Sequence, residues 1–415
     1  MSVRIAVLLG VKVAICLAYL SNVVSIAGIA PLFVFAPFLL ALAVIQLIVD
    51  PPTGAVPATS QFIKLVLLGM ILSALLTPVF FGLDGNRPRA VLFATLLFSI
   101  VLILGRTVQT LDDMRGMLNL IRRMTIVLVA IGTVEIFTGW HLPNSRHFDL
   151  TFFYTSPYIP TGTVYNENQF ASLVLLGIPL FLSSVFGTGS VFNRLAYVFV
   201  LLVSIFTITQ TDSRLNLIGL MLVVTSFLAL SGFKRSAGGL VLAIFLVFLL
   251  IALQPELVTS VFDEISSQLS TLSLDTFVKT DDKEVVRLNL LIMALDVIAE
   301  YPIFGYGAGG AEVYCEAGNY FTYGVCAPHN WPLELASSFG LPLAILHICS
   351  VIGLFVALLR IKADPQLRAT MVALFSTTVT ANFTASSILL LTPVWVVFGL
   401  LVAYVNFMYR TEGKS

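Results

Sequence analysis

The chain has 415 residues, of which 58% are hydrophobic and only 11% are charged, and its formal net charge is zero. A typical soluble domain carries about 25% charged residues, and the mean hydropathy of this chain is +1.00. This composition excludes a soluble enzyme, a nucleic-acid-binding protein and a disordered chain, because too little polar surface is available to face water. Residues 240–253 are continuously apolar, whereas the strands of a membrane β-barrel alternate. We therefore predict an all-α polytopic membrane protein.

The apolar runs predict about twelve membrane-spanning helices, since each span needs about 20 apolar residues. The first run follows Arg4 and resembles a signal peptide, but Lys12 interrupts it and no small-x-small cleavage motif follows, so we expect a retained helix. The boundaries between adjacent predicted spans near Gly28 and near Leu389 are the least marked. The predicted spans are residues 5–27, 29–49, 61–82, 89–105, 118–138, 166–187, 191–209, 215–232, 237–254, 334–359, 366–388 and 390–410.

Two connections between the predicted spans are longer than the others. Residues 139–165 are rich in aromatic, His and Pro residues, and residues 255–330 form a long loop. Structureless loops of that length are uncommon, and two amphipathic stretches, 256–272 and 281–300, predict a small helical cap there. The predicted divisions are an N-terminal bundle of about nine helices over 1–254, the loop 255–330 and about three C-terminal helices over 331–415.

The positions of Lys and Arg predict the orientation, because cytoplasmic connections carry an excess of both. With a cytoplasmic N-terminus, the inner connections hold most of these residues, and the short outer connections hold Arg87, Arg89, Arg146 and Arg214. Both termini then lie in the cytoplasm and the loop 255–330 lies outside. That loop is acidic, which indicates either a solvated surface or a direct role for one of its carboxylates.

The four cysteines fall into two pairs. Cys16 and Cys349 lie in apolar runs and are most simply core residues. Cys315 and Cys326 lie in the outward loop, where an oxidising compartment permits a disulfide, and free thiols are the alternative. A bridge would contribute about 3 kcal/mol by closing the loop. No Cys and His spacing resembles a metal site, so we expect no metal.

Three polar clusters lie at the outward ends of predicted spans, where polar residues of a membrane protein are most informative. Asn166 and Asn168 precede the sixth span, and capping of the helix explains one of them but not obviously both. Ser213 and Arg214 begin the eighth span, which places a cation at the positive end of the helix dipole. Either a carboxylate such as Asp212 or a bound anion is expected beside this arginine.

The third cluster precedes the tenth span and contains His329, Asn330 and Glu334. Asn330 can cap the helix. A helix N-terminus favours the neutral imidazole of His329, which is the form that accepts a proton, and a surface or hydrogen-bonded histidine is the alternative. Glu334 can orient a neighbour or the substrate, or make a structural hydrogen bond.

Arg287 belongs with these clusters and is followed by a glycine-rich turn at 302–310. No strand precedes the turn and no Lys-Ser/Thr follows, so we interpret it as a flexible connection and not as a nucleotide loop. Arginines and helix N-termini hold phosphate oxygens, and a nearby histidine can remove a proton from a hydroxyl. The combination suits a phosphate-bearing substrate near the outer leaflet and a sugar-type acceptor.

The chain resembles the O-antigen ligase/polymerase family of polytopic bacterial membrane enzymes. The resemblance is sharpest at His329-Asn330, which looks like the His-Asn segment of the family. As in that segment, the pair is followed by Leu333, Glu334 and Gly340-Leu341-Pro342. Residues 302–307 resemble its Pro-x-x-Gly-x-Gly element, and Ser213-Arg214 resembles its Ser-Arg segment. Arg287 lies where the second arginine of the family is expected. Asn166-Glu167-Asn168 departs from the usual Asn-Pro-Asn.

The resemblance implies a GT-C-like fold and an inverting, metal-independent glycosyltransferase in the bacterial cytoplasmic membrane, with its active site on the extracytoplasmic face. It implies a glycan donor linked to undecaprenyl diphosphate and a glycan or lipid A-core acceptor, with no cofactor. Arg214 and Arg287 would bind the diphosphate, and His329 would act as general base. Ser213, Asn330, Asn166, Asn168 and Glu334 are candidate substrate-binding residues. Membrane lipids and other polysaccharide-assembly proteins are expected partners.

Two alternatives remain open. A polymerase and a ligase differ in their acceptor, and no motif in the sequence indicates which acceptor is used. The sequence favours a polymerase only slightly. A flippase of lipid-linked glycans would show ionisable residues in mid-span and repeated broken helices. Only Lys12, Glu135 and His347 are candidates for mid-span positions, which disfavours transport.

Overall fold

A computed structural model describes residues 3–20, 31–49, 56–85, 87–148, 156–231, 283–317, 326, 328, 330–384, 387 and 391–412. These residues form fourteen α-helices. The helices are α1 (Val3–Leu20), α2 (Pro31–Val49), α3 (Ala58–Phe81), α4 (Arg87–Thr107), α5 (Leu111–Thr138), α6 (Glu167–Val185), α7 (Val191–Thr209), α8 (Arg214–Leu230), α9 (Lys283–Glu300), α10 (Gly310–Ala317), α11 (Trp331–Phe339), α12 (Leu341–Arg360), α13 (Pro365–Thr384) and α14 (Thr392–Glu412).

Seven of the described helices are long and apolar enough to cross a membrane, namely α1, α3, α4, α6, α7, α12 and α14. The predicted all-α polytopic membrane protein is thereby confirmed. Residues 283–300 of the predicted stretch 281–300 form α9, as expected from its amphipathic pattern. The predicted span 237–254 and the stretch 256–272 lie outside the described residues.

The tenth predicted span is wrong as a single helix. The apolar run 334–359 divides into α11 and α12 at Gly340, whose φ of +85° lies in the left-handed region that favours glycine. A Cβ atom at this position would stand 2.0 Å from the carbonyl oxygen of Ile303. The chain therefore breaks here because another segment fills the space that a continuous helix would need.

The glycine-rich turn 302–310 is that other segment, and its interpretation as a flexible connection is wrong. The backbone N–H of Tyr306 donates to the carbonyl of Ser337 over 2.7 Å. Gly305 has a φ of +65°, and a Cβ atom there would stand 2.5 Å from the carbonyl carbon of Ser338. These glycines permit close packing of the turn against α11 and fix it there.

A buried arginine lies beside the same turn, at the beginning of α4. Arg87 is 2% exposed, and its guanidinium carbon lies 4.4 Å from the ring centre of Tyr306 and 5.3 Å from that of Phe81. Contacts of a cation with aromatic faces stabilise by about 0.5–2 kcal/mol. The start of α4, the end of α3 and the turn are thus held together.

The interior of the bundle is formed by helices that are buried on most sides. α6 packs against α7, α8 and α13, and α14 packs along α4. Phe98 of α4 and Trp395 of α14 meet with ring centroids 5.0 Å apart. Most of α6 and α14 is buried, whereas much of α3, α7 and α12 is exposed, as expected for helices that face lipid.

Contacts between helix ends define two faces of the bundle. On the first face, Arg4 of α1 pairs with Asp113 at the start of α5, and Asn406 near the end of α14 donates to the carbonyl of Gly105 near the end of α4 over 2.8 Å. α5 begins shortly after α4 ends, so these ends lie together. We call this the Arg4 face.

On the opposite face, Thr163 before α6 donates its hydroxyl to the carbonyl of Tyr19 near the end of α1, over 2.5 Å. The hydroxyls of Ser172 in α6 and Thr384 at the end of α13 are 2.6 Å apart. We call this the Thr163 face. It also carries the beginnings of α6 and α8, where the sequence places its first two polar clusters.

Candidate functional site

The starts of α6 and α8 meet at a buried asparagine that the sequence analysis did not select. Asn216 is fully buried in α8, and its amide nitrogen donates to the carbonyl of Asn168 over 3.1 Å and to the hydroxyl of Ser213 over 2.9 Å. Its oxygen accepts from the hydroxyl of Ser172 over 3.1 Å. Through Ser172 the network reaches Thr384 of α13.

This network joins the first two polar clusters of the Thr163 face. Asn166 caps α6, because its side-chain oxygen accepts from the N–H of Gln169 over 2.9 Å. Asn168 is half-buried in the first turn of α6, and Ser213 is buried at the N-cap position of α8. The N-termini of two helices are therefore close together, and both helices direct the positive ends of their dipoles toward this region.

Arg214 is the first residue of α8 and is exposed. The residue before the cap, Asp212, has a φ of +53° and is exposed. Non-glycine residues adopt this conformation infrequently, and Asp does so more readily than most. The chain thus turns sharply into α8 and presents a guanidinium at the positive end of the helix.

The third predicted cluster begins α11. Asn330 caps this helix, since its side-chain oxygen accepts from the N–H of Leu333 over 3.3 Å. Glu334 is buried, and its carboxylate accepts a hydrogen bond from the hydroxyl of Ser387, between α13 and α14. Glu334 therefore makes the structural hydrogen bond that was one of its two expected roles.

The two remaining predicted catalytic residues are His329 and Arg287. His329 lies outside the described residues, although Pro328 and Asn330 on either side are described. Arg287 lies on α9, of which the backbone is described at that position and the side chain is not. α9 packs against α11, so the helix that carries Arg287 adjoins the helix that follows His329.

A second polar network on the Thr163 face lies in the loop 139–165 and was missed. Glu135, in the last turn of α5, is fully buried and accepts from the N–H groups of Thr161 and Gly162, each over 2.7 Å. Its carboxylate lies 3.2 Å from Nδ1 of His141, and Nε2 of His141 lies 2.8 Å from the carbonyl oxygen of Pro157. Both ring nitrogens face acceptors, which suits the imidazolium form.

The electrostatics of His141 agree with that geometry. Burial lowers the pKa of His141, but the hydrogen bonds to Glu135 and to the Pro157 carbonyl, together with the charge of Glu135, hold the pKa above its ordinary value. Glu135 is therefore not an ionisable group in mid-span. It anchors the returning loop at the end of α5.

An adjacent ion pair ties the same loop to α6. Arg146 pairs with Glu167, the first residue of α6. The buried ring of His147 lies with Nε2 3.6 Å from the other oxygen of Glu167. The sequence signals for this network were the His-rich loop and the isolated Glu135. Residues so far apart in sequence become a recognisable group only when folding buries them together.

Cys315 of α10 and Cys326 form a disulfide, with their Cα atoms 5.6 Å apart. Cys315 is buried against Leu290 and Met293 of α9. The bridge therefore ties α10, which packs on α9, to the segment that leads to Asn330. Among the described residues, no group of three or more His, Cys, Asp or Glu side chains is placed to hold a metal ion.

Comparison with known proteins bears directly on these residues. Residues 198–348 match the family model described as O-antigen ligase. The resemblance to the O-antigen ligase family is thereby confirmed over this range. The matched range contains Ser213 and Arg214 at the start of α8, Arg287 on α9 and the segment from His329 to Glu334.

A curated protein with a wider alignment is also similar. The "Teichuronic acid biosynthesis protein TuaE" of Bacillus subtilis (strain 168) is 26% identical to the chain over 303 residues. The aligned part covers 70% of the chain and 60% of TuaE, so the chain spans less than two thirds of that relative. The aligned part is longer than the O-antigen ligase match.

Proposed function

We propose that the protein is a membrane glycosyltransferase of bacterial surface polysaccharide assembly. It transfers a glycan from undecaprenyl diphosphate to a hydroxyl of an acceptor. The observation that supports this most is the O-antigen ligase match, because residues 198–348 include all three proposed catalytic residues. The name of TuaE, a protein of teichuronic acid biosynthesis, supports assembly of a surface polysaccharide.

The donor diphosphate is bound by Arg214 and Arg287. Diphosphate is a charged leaving group, and two guanidiniums can stabilise the charge that develops on it without a metal ion. The exposed position of Arg214 at the N-terminus of α8 supports this role, since the helix end itself favours an anion. Ser213, which precedes the arginine, and Asn168, which Asn216 links to Ser213, hold the donor through polar contacts.

His329 accepts the proton of the acceptor hydroxyl. The hydroxyl oxygen then forms a bond to the anomeric carbon as the bond from that carbon to the diphosphate oxygen breaks, and the leaving diphosphate keeps the electron pair. Attack from the face opposite the leaving group inverts the anomeric configuration. A neutral imidazole is required, and its position before the start of α11 favours that form.

Asn166, Asn330 and Glu334 act by shaping the site. Asn166 and Asn330 cap α6 and α11, so they set the beginnings of both helices. Glu334 fixes α11 against the segment between α13 and α14. These contacts keep the residues near His329 in one arrangement.

The full architecture proposed here has about twelve spans in a GT-C-like arrangement. It consists of a bundle over 1–254, an extracytoplasmic loop over 255–330 and C-terminal spans over 331–415. Both termini are cytoplasmic, the Thr163 face is extracytoplasmic and the protein lies in the bacterial cytoplasmic membrane. The acceptor is a glycan or lipid A-core, and membrane lipids and other polysaccharide-assembly proteins surround it.

The direct test is transfer by the purified full chain in vesicles, with a defined undecaprenyl-diphosphate-linked glycan and separate candidate acceptors. We expect His329→Ala to lower kcat by about 100-fold or more, the contribution of a general base. We expect Arg214→Glu to weaken donor binding. Full transfer by His329→Ala at normal expression would contradict the role of this histidine.

Arg194 provides a matched control for Arg214. Both arginines lie in the first turn of consecutive apolar helices and are exposed, but α7 and α8 begin on opposite faces. Arg194→Glu should leave donor affinity unchanged. Equal loss of affinity in both variants would assign the effect to net charge and not to the site.

The same assay distinguishes the alternative functions. Extension of a lipid-linked glycan identifies a polymerase, to which the sequence leans slightly, and transfer to lipid A-core identifies a ligase. Movement of the donor across the bilayer without formation of a new glycosidic bond would support the flippase alternative.

A further inference from the structure

A small cavity lies between α12, α13 and α14, below the start of α11. Its described lining is mostly aromatic and aliphatic, but it includes His347 of α12 and Asn382 of α13. Both are deeply buried, with 2% and 6% of their surfaces exposed. Each lies toward the Thr163 face, because α12 begins there and α13 ends there.

Each of these two lining residues carries one unpaired polar atom. Nδ1 of His347 and Oδ1 of Asn382 are buried and have no hydrogen-bond partner among the described residues. Buried polar atoms are seldom left unpaired, because their desolvation is then uncompensated. Two such atoms, on side chains that line the same cavity, therefore point to a shared polar occupant.

The size of the cavity limits that occupant to one small molecule. The cavity volume is about 10 Å³, which is about the space that one buried water molecule needs. A sugar or a phosphate group is too large.

We infer that the cavity holds one structural water molecule that bridges Nδ1 of His347 and Oδ1 of Asn382. The amide oxygen can only accept, so the water donates one hydrogen to it. The second contact, to Nδ1, uses either the other water hydrogen or a lone pair of the water, according to the tautomer of the ring.

The bridge has a consequence for α11, which rests on the proposed function. The ring of His347 contacts that of Trp331, the first residue of α11, with centroids 5.4 Å apart. Phe383, next to Asn382, contacts the same tryptophan at 6.2 Å. The bridged pair therefore packs under Trp331, the residue that follows His329-Asn330. His347 and Asn382 are thus positioning residues for transfer.

A double-mutant cycle tests the water without reference to activity. If the water is present, His347→Phe and Asn382→Leu each lower the melting temperature, because each leaves the other partner unpaired, and the double variant melts little lower than either. If no water bridges them, each substitution replaces an unpaired polar atom by an apolar group. Unchanged or higher melting temperatures in both single variants would overturn the inference.

Thr378→Val is the matched control. Thr378 lines the same cavity, but its hydroxyl donates to the carbonyl of Leu374 in its own helix, over 2.9 Å. We expect no coupling between this substitution and His347→Phe. Coupling as large as that of Asn382 would show that repacking, and not a bridge, links the residues.

A conservative variant tests the positioning role. His347→Gln keeps a side chain that can hold the water, so it should retain most of the melting temperature and kcat, whereas His347→Phe should lower kcat roughly tenfold with little change in the donor KM. Misplacement by about 1 Å can cost up to 100-fold. Equal kcat values for both variants would overturn the positioning role. The double-mutant cycle on melting temperatures would still test whether the water is present. If the wild-type protein transfers no glycan, the proposed function fails, and the melting cycle still decides the water.

Discussion

At the scale of single residues, His141 makes stability depend on pH. Its pKa is raised in the folded protein, where Glu135 and the Pro157 carbonyl both accept from the ring. A charged His141 therefore stabilises the folded state fully below the unfolded pKa of about 6.5, and this contribution is lost as the pH rises through the folded pKa. We expect the melting temperature of the wild type to fall over that interval.

The measurement compares wild type with His141→Gln between pH 5 and pH 9. Glutamine can still contact Glu135 but does not titrate, so the difference between the two melting curves should shrink as the pH rises. A difference that stays constant with pH would show that folding does not raise the pKa of His141.

Asn216 provides the second prediction at this scale. Asn216→Leu removes the amide that joins Ser213 to the carbonyl of Asn168. It should lower the free energy of unfolding by about 1–3 kcal/mol, since buried partners are left unpaired, and it should also reduce donor binding by loosening the start of α8. Thermal denaturation and donor titration measure the two effects.

Ser226→Ala on the same helix is the control for Asn216. The hydroxyl of Ser226 donates mainly to the carbonyl of Leu222, one turn earlier, over 2.6 Å. Little change in stability or donor binding is expected. If Asn216→Leu behaves like this control, the network does not hold the starts of α6 and α8 together.

At the scale of helices and turns, the division between α11 and α12 depends on Gly340. Gly340→Ala forces a side chain into a φ of +85° and against the carbonyl of Ile303. We expect a loss of at least about 2 kcal/mol of stability, or poor recovery of folded protein. Gly353→Ala in α12 is the control, because its Cβ would meet only a methyl group of Thr59 at 3.4 Å. A mild effect at Gly340 would mean that the turn can move away.

The sequence predicted helices better than it predicted their breaks. The run 191–209 coincides with α7, because a lipid-facing helix is apolar throughout and ends where the apolar residues end. Gly340 lies inside an equally apolar run, and glycine is common within membrane helices. Its role depends on Ile303, a contact distant in sequence, which no local pattern contains.

The same limit applies to the candidate site. Ser213, Arg214 and the capping residues Asn166 and Asn330 were predicted, because they lie at helix starts where polarity changes abruptly. Asn216 was missed, since one asparagine three residues into an apolar helix has the same sequence appearance whether it faces lipid, a substrate or its neighbours. Only the packing of α6 against α8 distinguishes these possibilities.

At the scale of the whole molecule, the two faces predict a labelling pattern. In a background without Cys16 and Cys349, a membrane-impermeant thiol reagent applied to intact cells should label Tyr158→Cys, on the Thr163 face. It should label Thr188→Cys, between α6 and α7, only after the membrane is opened. Both positions are exposed. The reverse pattern would invert the proposed orientation and place the candidate site in the cytoplasm.

The unequal burial of the helices has a consequence for sequence variation among relatives. Along α7 most side chains face outward, and fluid lipid imposes no particular shape, so Leu, Ile, Val and Phe should replace one another freely. α6 offers no such latitude, since even a methyl group on Gly177 would stand 2.4 Å from the side chain of Thr125. Saturation mutagenesis should therefore find that apolar substitutions are tolerated along α7, whereas a strip along α6 is almost invariant.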